Sequence, residues 1–342
     1  MSAMPQGMTT TTHRMLFESE WLQVGHISVR PASSECGELE ASPLNVLALP
    51  LAGVFAKHDG PRRHGIATPQ HALLISAGRP YRLSFPGCIG DRCLALRLSN
   101  EALAHVMPEA LAGSGMGTGS GSNGGFDEAV FATQTLLPPA VMLARSQLWR
   151  RLAAGGGEVD ALEAEQRAID LLAAALGAAR RQRAGSARGG IGARGADGAD
   201  GAVAAVRAVR GGGATWRRMR PVARTVEAIG SEPERRWTLH ELAALACVSP
   251  SHLAHVFRAE TGLSVWGYVL RSRLARGLEA VLDSDAALTE VALDAGFASH
   301  SHFTAKFRTL FGCTPQQLRR GASRRTAHEM RRIATAHEPL AA

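Results

Sequence analysis

Two stretches of this chain, fifty residues apart in register, carry one pattern, and that repeat limits the folds open to it. Residues 238–263 read TLHELAALACVSPSHLAHVFRAETGL, and residues 288–313 read LTEVALDAGFASHSHFTAKFRTLFGC. Glu241, Ala243 and Ala246 align with Glu290, Ala292 and Ala295 at an offset of 49. Leu253, Phe257 and Gly262 align with Phe303, Phe307 and Gly312 at an offset of 50. One residue has entered the second turn. Each stretch predicts a short helix with a narrow face of small apolar residues, a tight turn, and a second helix with larger ones.

The local chemistry supports that reading. Thr238 and Glu241 form a capping box, the hydroxyl taking a free N–H and the carboxylate reaching back. Leu239, Leu242, Ala243 and Ala246 give the first helix its apolar face, and Cys247-Val248 makes the turn. Ser249 caps the next helix and Pro250 sits where its missing N–H costs nothing. Leu253, Val256 and Phe257 then face inward, leaving Ser251, His252, Ala254, His255 and Arg258 outside; Gly262 is a left-handed stop. In the second unit Gly296-Phe297-Ala298 is the turn and Ser299 the cap. Phe303, Phe307 and Leu310 are core, while His300, Ser301, Thr304, Ala305 and Arg308 point outward. Residues 265–282 join the units, with Trp266, Val269, Leu270, Leu274, Leu278 and Leu282 on one helical face. Such a rod is about 27 Å long, close to the roughly 34 Å of one DNA turn. Two readers so joined suit successive turns of one groove.

The net charge of +8 and pI near 10.0 favour a polyanionic partner. Lys57 and Lys306 are the only lysines, so the basic residues are almost all arginine, a bias expected of a GC-rich coding sequence. Position, and not the mere presence of a cation, must identify a contact. MSAMPQGMTTTTHR lacks the basic segment and apolar core of a secretory signal, and no apolar run reaches the roughly 18 residues that span a bilayer. Five scattered cysteines without a C-x-x-C pair suit reduced thiols. The expected location is the cytoplasm, without membrane partners.

The remainder divides by composition. Residues 1–14 read as a flexible lead. Residues 15–98 show short apolar runs between Gly/Pro clusters, the mark of a small antiparallel barrel or sandwich. Residues 99–183 turn helical, with helices expected at 139–153 and 158–182, and a Gly/Ser-rich loop at 110–125. Leu162, Ile169, Leu172 and Leu176 recur at helical intervals, so the second helix either packs on its own domain or forms a dimer interface. Residues 184–214 form a Gly/Ala/Arg linker, 215–320 a helical domain, and 321–342 a tail. The fold class is α+β and multidomain.

Residues 225–320 resemble the DNA-binding domain of the AraC/XylS family of bacterial transcription regulators. The resemblance rests on Val291-Ala292, Ala295-Gly296-Phe297, Ser299, Phe303, Phe307-Arg308, Phe311-Gly312, Thr314-Pro315 and Arg319. It implies reading helices at 250–260 and 300–310. Ser251, His252 and His255 become base-edge candidates in the first unit, as do His300, Ser301 and Thr304 in the second. Arg258, Lys306 and Arg308 suit phosphates, and Ala305 leaves the second unit leaner. Residues 62–98 bear a weaker resemblance to the cupin-like sensing region of some members. It implies a small-molecule effector pocket, with His64, His71, Tyr81 and Arg82 as polar contacts, and a homodimer. An activator that engages operator DNA and RNA polymerase follows from the same resemblance, with no cofactor and no catalysis. Two rival readings use the N-terminal half: a thiol or metal sensor built on Cys36, Cys88 and Cys93, or a barrel enzyme fused to a DNA-binding domain. The long linker predicts soft coupling, through effective concentration or dimer geometry.

Overall fold

Strand alternation sorts the N-terminal half into two faces. The computed structural model describes residues 9–60, 64–88, 90–106, 132–153, 160–189 and 212–321. Its strands are β1 (Thr10–Glu18), β2 (Gln23–Arg30), β3 (Glu40–Ala41), β4 (Asn45–Ala52), β5 (Phe55–His58), β6 (His64–Ala67), β7 (His71–Ile75), β8 (Pro80–Ser84), β9 (Asp91–Leu98) and β10 (Gln134–Leu136). They form a six-stranded sheet, β1-β2-β9-β4-β7-β10, and a four-stranded sheet, β3-β8-β5-β6. The barrel expected from the turn spacing is therefore not closed: β1 and β10 end the larger sheet unpaired with each other. On β9, Leu94, Leu96 and Leu98 project to one side of the larger sheet and Cys93, Ala95 and Arg97 to the other, as the two-residue strand period requires.

The leucine side is covered by helices. Here α1 (Asn100–Val106), α2 (Pro139–Ala153) and α3 (Ala161–Gly189) follow the strands in sequence. Ser99 Oγ accepts the Ala102 N–H and starts α1. Ala164, Ala168, Leu171, Leu172, Ala175 and Leu176 of α3 join Leu47, Leu49, Leu94 and Leu96 in one core. The apolar stripe of α3 thus packs on its own sheet, and Leu162, assigned to that stripe by its spacing, is 73% exposed. Arg145 of α2 is buried and donates to the Pro50 and Pro69 carbonyls, tying this helix to both ends of the β4–β7 region.

The C-terminal half is helical: α4 (Gly212–Ser231), α5 (Leu239–Ala246), α6 (Pro250–Thr261), α7 (Val265–Asp283), α8 (Leu288–Asp294), α9 (His300–Phe311) and α10 (Pro315–Gly321). The capping box at Thr238 and Glu241 forms as expected, and Ser249, Ser264 and Ser299 each accept an N–H from the first turn of α6, α7 and α9. Leu242, Leu253, Phe257, Tyr268 and Val269 build one core with Met219, Val222 and Val226 of α4. Leu274, Leu278 and Val281 build another with Val291, Phe303, Phe307 and Phe311. The 19-residue α7 spans both, a length of about 28 Å. Its buried face uses Tyr268 and Val281 and omits Trp266, which is 61% exposed, contrary to the apolar face drawn from sequence.

Other boundaries also shift. The expected lead ends early, because Thr10 to Arg14 belong to β1 and pair with β2; residues 1–8 lie outside the described residues. The expected linker is helical at both margins, in α3 to Gly189 and in α4 from Gly212; its middle, 190–211, lies outside the described residues. So do the loop at 110–125 and all of the tail beyond Gly321. Among the described residues, no helix is long and apolar enough to cross a membrane.

The turn before α9 has a steric requirement. Gly296 has φ +82°, and a Cβ there would lie 2.6 Å from Glu234 Cα and 2.8 Å from the Glu234 carbonyl oxygen. Gly262 has a similar φ of +71° but open space around it. Gly262→Ala should therefore cost only the left-handed strain, about 1–2 kcal/mol. Gly296→Ala adds a backbone collision and should cost more than about 3 kcal/mol. Urea unfolding of both variants measures this; equal losses would mean that the Glu234 contact is not as drawn.

Candidate nucleic-acid interface

Helical periodicity places two sets of polar side chains on the outside. In α6, Leu253, Val256 and Phe257 are buried, which leaves Ser251, His252, His255 and Arg258 exposed. In α9, Phe303, Phe307 and Phe311 are buried, and Ser301, Lys306 and Arg308 are exposed. His300 and Thr304 are only half-buried and lean on each other, with Thr304 Oγ1 3.3 Å from His300 Nε2. The outward direction expected of both is joined by a mutual contact that their one-turn spacing allows. α9 contains no acidic residue, and the single one in α6, Glu260, is drawn inward at its far end. Both outer faces therefore offer hydroxyl, imidazole and cationic donors with no carboxylate to repel a phosphate.

The far end of α6 docks on the N-terminal sheets. Glu260 Oε2 lies 2.9 Å from His64 Nε2 of β6, and the Glu260 carbonyl accepts from Gln134 Nε2 of β10 at 3.0 Å. His71 of β7 is buried, and its Nε2 is 2.9 Å from the Thr261 carbonyl. A carbonyl only accepts, so Nε2 carries the proton, and Nδ1 accepts from the Thr68 hydroxyl at 2.8 Å. Nearly two turns into α7, Arg271 donates to Gln70 Oε1 at 2.9 Å and to the Leu137 carbonyl. Burial holds its guanidinium down to about 10, so it stays charged near neutrality. Ala56 and Ile66 of the smaller sheet, with Val54 just before β5, complete the core of α4 to α7.

These contacts relocate half of the effector residues expected from sequence. His64 and His71 serve the junction with α6 and line no cavity between the sheets. Arg82 gives its guanidinium to the Gly37 carbonyl at 2.8 Å. Only Tyr81 faces the cavity, a space of about 730 Å³ between the two sheets whose walls include Ile27, Val29, Val46, Phe55, Leu83 and Phe85. Burial, reinforced by Glu40, pushes the Tyr81 hydroxyl up to about 12. Of the three cysteines considered as a sensor, Cys36 and Cys93 line this cavity and Cys88 does not. Burial raises both lining thiols, opposite to the shift that makes a reactive thiolate. Among the described residues, no group of three or more His, Cys, Asp or Glu is placed to hold a metal ion.

Sequence reasoning missed Gln70, Gln134, Glu260, Thr261 and Arg271. None belongs to a periodic or motif pattern; each acquires its role only when two segments far apart in the chain meet. Burial also holds His71 down to about 4, below its ordinary 6.5, so the unfolded chain binds a proton between these values and the folded chain does not. Stability must then rise with pH across that window and fall on acidification. From His71 alone the loss from pH 7 to pH 5 is about 2 kcal/mol. Chemical denaturation at the two pH values should show it, and His71→Gln should reduce the difference by about that amount; an unchanged difference would contradict the buried, neutral imidazole.

Residues 242–321 match a family model described as a helix-turn-helix domain. The chain is 29% identical over 105 residues to the HTH-type transcriptional regulator MtrA of Neisseria gonorrhoeae, covering 31% of this chain and 35% of that protein. It is 30% identical over 99 residues to a putative AraC-like transcription regulator of Streptomyces lividans, covering 29% of this chain and 33% of that one. The chain spans about a third of the length of these relatives. Among solved structures, the DNA-binding domain of AdpA in complex with a target DNA is 26% identical, covering 30% of this chain and 96% of that one, at a TM-score of 0.29.

Proposed function

From a C-terminal region that belongs to the AraC family of helix-turn-helix transcription regulators, we propose that this chain is a sequence-specific DNA-binding regulator and an activator, governed by a small molecule held between its N-terminal sheets. Residues 9–189 are the sensor and residues 212–321 the DNA-binding domain. The pairs α5–α6 and α8–α9 are two helix-turn-helix units, and α6 and α9 are the reading helices. The observation that carries the reading is the pairing of two acid-free, exposed helix faces across one 19-residue helix.

The two faces divide the work by chemistry. Ser251, His252 and His255, with Ser301 in the second unit, meet base edges through hydroxyl and imidazole groups. Arg258, Lys306 and Arg308 meet phosphates. The His300–Thr304 pair stiffens the start of α9 and contributes to base reading only after that contact opens. The unequal faces favour an asymmetric site with a direction over a palindrome. The engagement of RNA polymerase and a homodimeric state are the family's expectations carried to this chain.

The junction at Glu260, Thr261 and Arg271 changes the expected coupling. The first reading helix and the sensor share a buried contact, so an effector that shifts β6 or β7 acts directly on α6. The segment between α3 and α4 need not transmit anything.

Binding measured over a salt series, on operator fragments selected from random DNA, tests the assignment. Arg308→Ala should weaken binding to all sequences and reduce the salt slope by about 1. His255→Ala should cost about 1–3 kcal/mol at one half of the site only. An unchanged slope removes Arg308 from the phosphate contacts, and uniform loss across sequences removes His255 from the base contacts.

A further inference from the structure

The cavity between the sheets contains a buried carboxyl with no cationic partner among the described residues. Asp91 opens β9, is 5% exposed, and lines the cavity on the same strand face as Cys93 and Arg97. Among the described residues its carboxylate takes a hydrogen bond only from its own backbone N–H, and no ion pair joins it to a cation. Arg97, the one arginine or lysine in the lining among the described residues, is rooted six residues along the strand, a Cα separation of about 20 Å at 3.3 Å per residue, and its guanidinium turns to His13, with Nη2 3.1 Å from Nδ1. The other acids of the lining, Glu35, Glu38 and Glu40, add negative charge and relieve none of it.

A carboxylate taken out of water without a partner is costly, and the cost disappears when a cation enters beside it. The walls around it are apolar and aromatic. Phe55 and Phe85 lie with ring centroids 6.4 Å apart, and Tyr81 faces the same space. Aromatic faces attract organic cations as well as hydrocarbon. A volume of about 730 Å³ suits a small molecule.

We propose that this cavity binds a hydrophobic organic ammonium ion, with the Asp91 carboxylate as its counter-ion and the Phe55, Tyr81 and Phe85 rings packed on its apolar body. The proposal rests on reading the N-terminal sheets as the effector site, and it names the chemical class of the effector. An anionic ligand of the same shape would meet a lining already rich in carboxylates. A neutral one would leave Asp91 unpaired.

Three probes of equal length separate these cases: 4-phenylbutylamine, 4-phenylbutanol and 4-phenylbutanoate, titrated calorimetrically into the full chain at pH 8. Burial pushes the Asp91 carboxyl up to about 7, so it is ionised there. The amine should bind at least about tenfold tighter than the alcohol, equivalent to about 1.4 kcal/mol. Asp91→Asn should bring the amine down to the level of the alcohol and leave alcohol binding unchanged, which also shows that the variant is folded. Equal binding of amine and alcohol, tightest binding of the carboxylate, or an amine preference that survives Asp91→Asn would each overturn the ammonium assignment while leaving the cavity a ligand site. No binding of any probe at millimolar concentration would overturn both the assignment and the effector reading of the sheets.

Discussion

A half-buried guanidinium organises this molecule. Arg271 lies on α7, the helix shared by both C-terminal cores, and its head reaches Gln70 and the Leu137 carbonyl in the N-terminal half. A buried cation left without partners costs several kcal/mol, so the two halves are held in one relative position by a charge that neither satisfies alone. His71 adds a second such demand. Its buried imidazole is completed by the Thr261 carbonyl at the end of α6, and Ile66 and Val54 fill the core behind it.

The consequence is that α6 works at both ends. Its first turns present Ser251, His252 and His255 to the outside, and its last turn is fixed to β6, β7 and β10 through Glu260 and Thr261. α9 has no comparable tie to the sheets in its own hydrogen bonds, although Leu143 of α2 packs in the same core as Phe303 and Phe307. A rigid α7 links the two faces. Any change in the sheets that moves the seat of α6 therefore changes how α6 and α9 are presented together.

The C-terminal helices were legible because local chemistry alone specifies them. Thr238, Ser249, Ser299, Gly262 and Gly312 mark helix ends through bonds within four residues, and those ends appear where they were read. Leu253, Phe257, Phe303 and Phe307 fixed the inner faces. The N-terminal half was legible only as β-rich. Turn spacing does not distinguish a closed barrel from two sheets, because closure depends on which edge strands meet. His64 and His71 lie away from the cavity for a related reason: a polar residue on a strand has two faces to choose from, and here each takes the one that α6 covers. Trp266 and Leu162 show the opposite error, in which a helical stripe one residue too wide took in exposed side chains. Asp91 was passed over because nothing near it in sequence forms a motif; its isolation is a property of the folded cavity.

The central claim is that the N-terminal sheets and the C-terminal helices are joined by a specific polar junction in solution. A double-mutant cycle on unfolding free energy, with Gln70→Ala, Arg271→Ala and the double variant of the full chain, measures it. Residues in direct contact show coupling energies of about 0.5–3 kcal/mol, and independent sites add within about 0.3–0.5 kcal/mol. The junction predicts a coupling above about 1 kcal/mol. Additive effects would mean that Gln70 and Arg271 do not meet, and would contradict the junction drawn through Arg271.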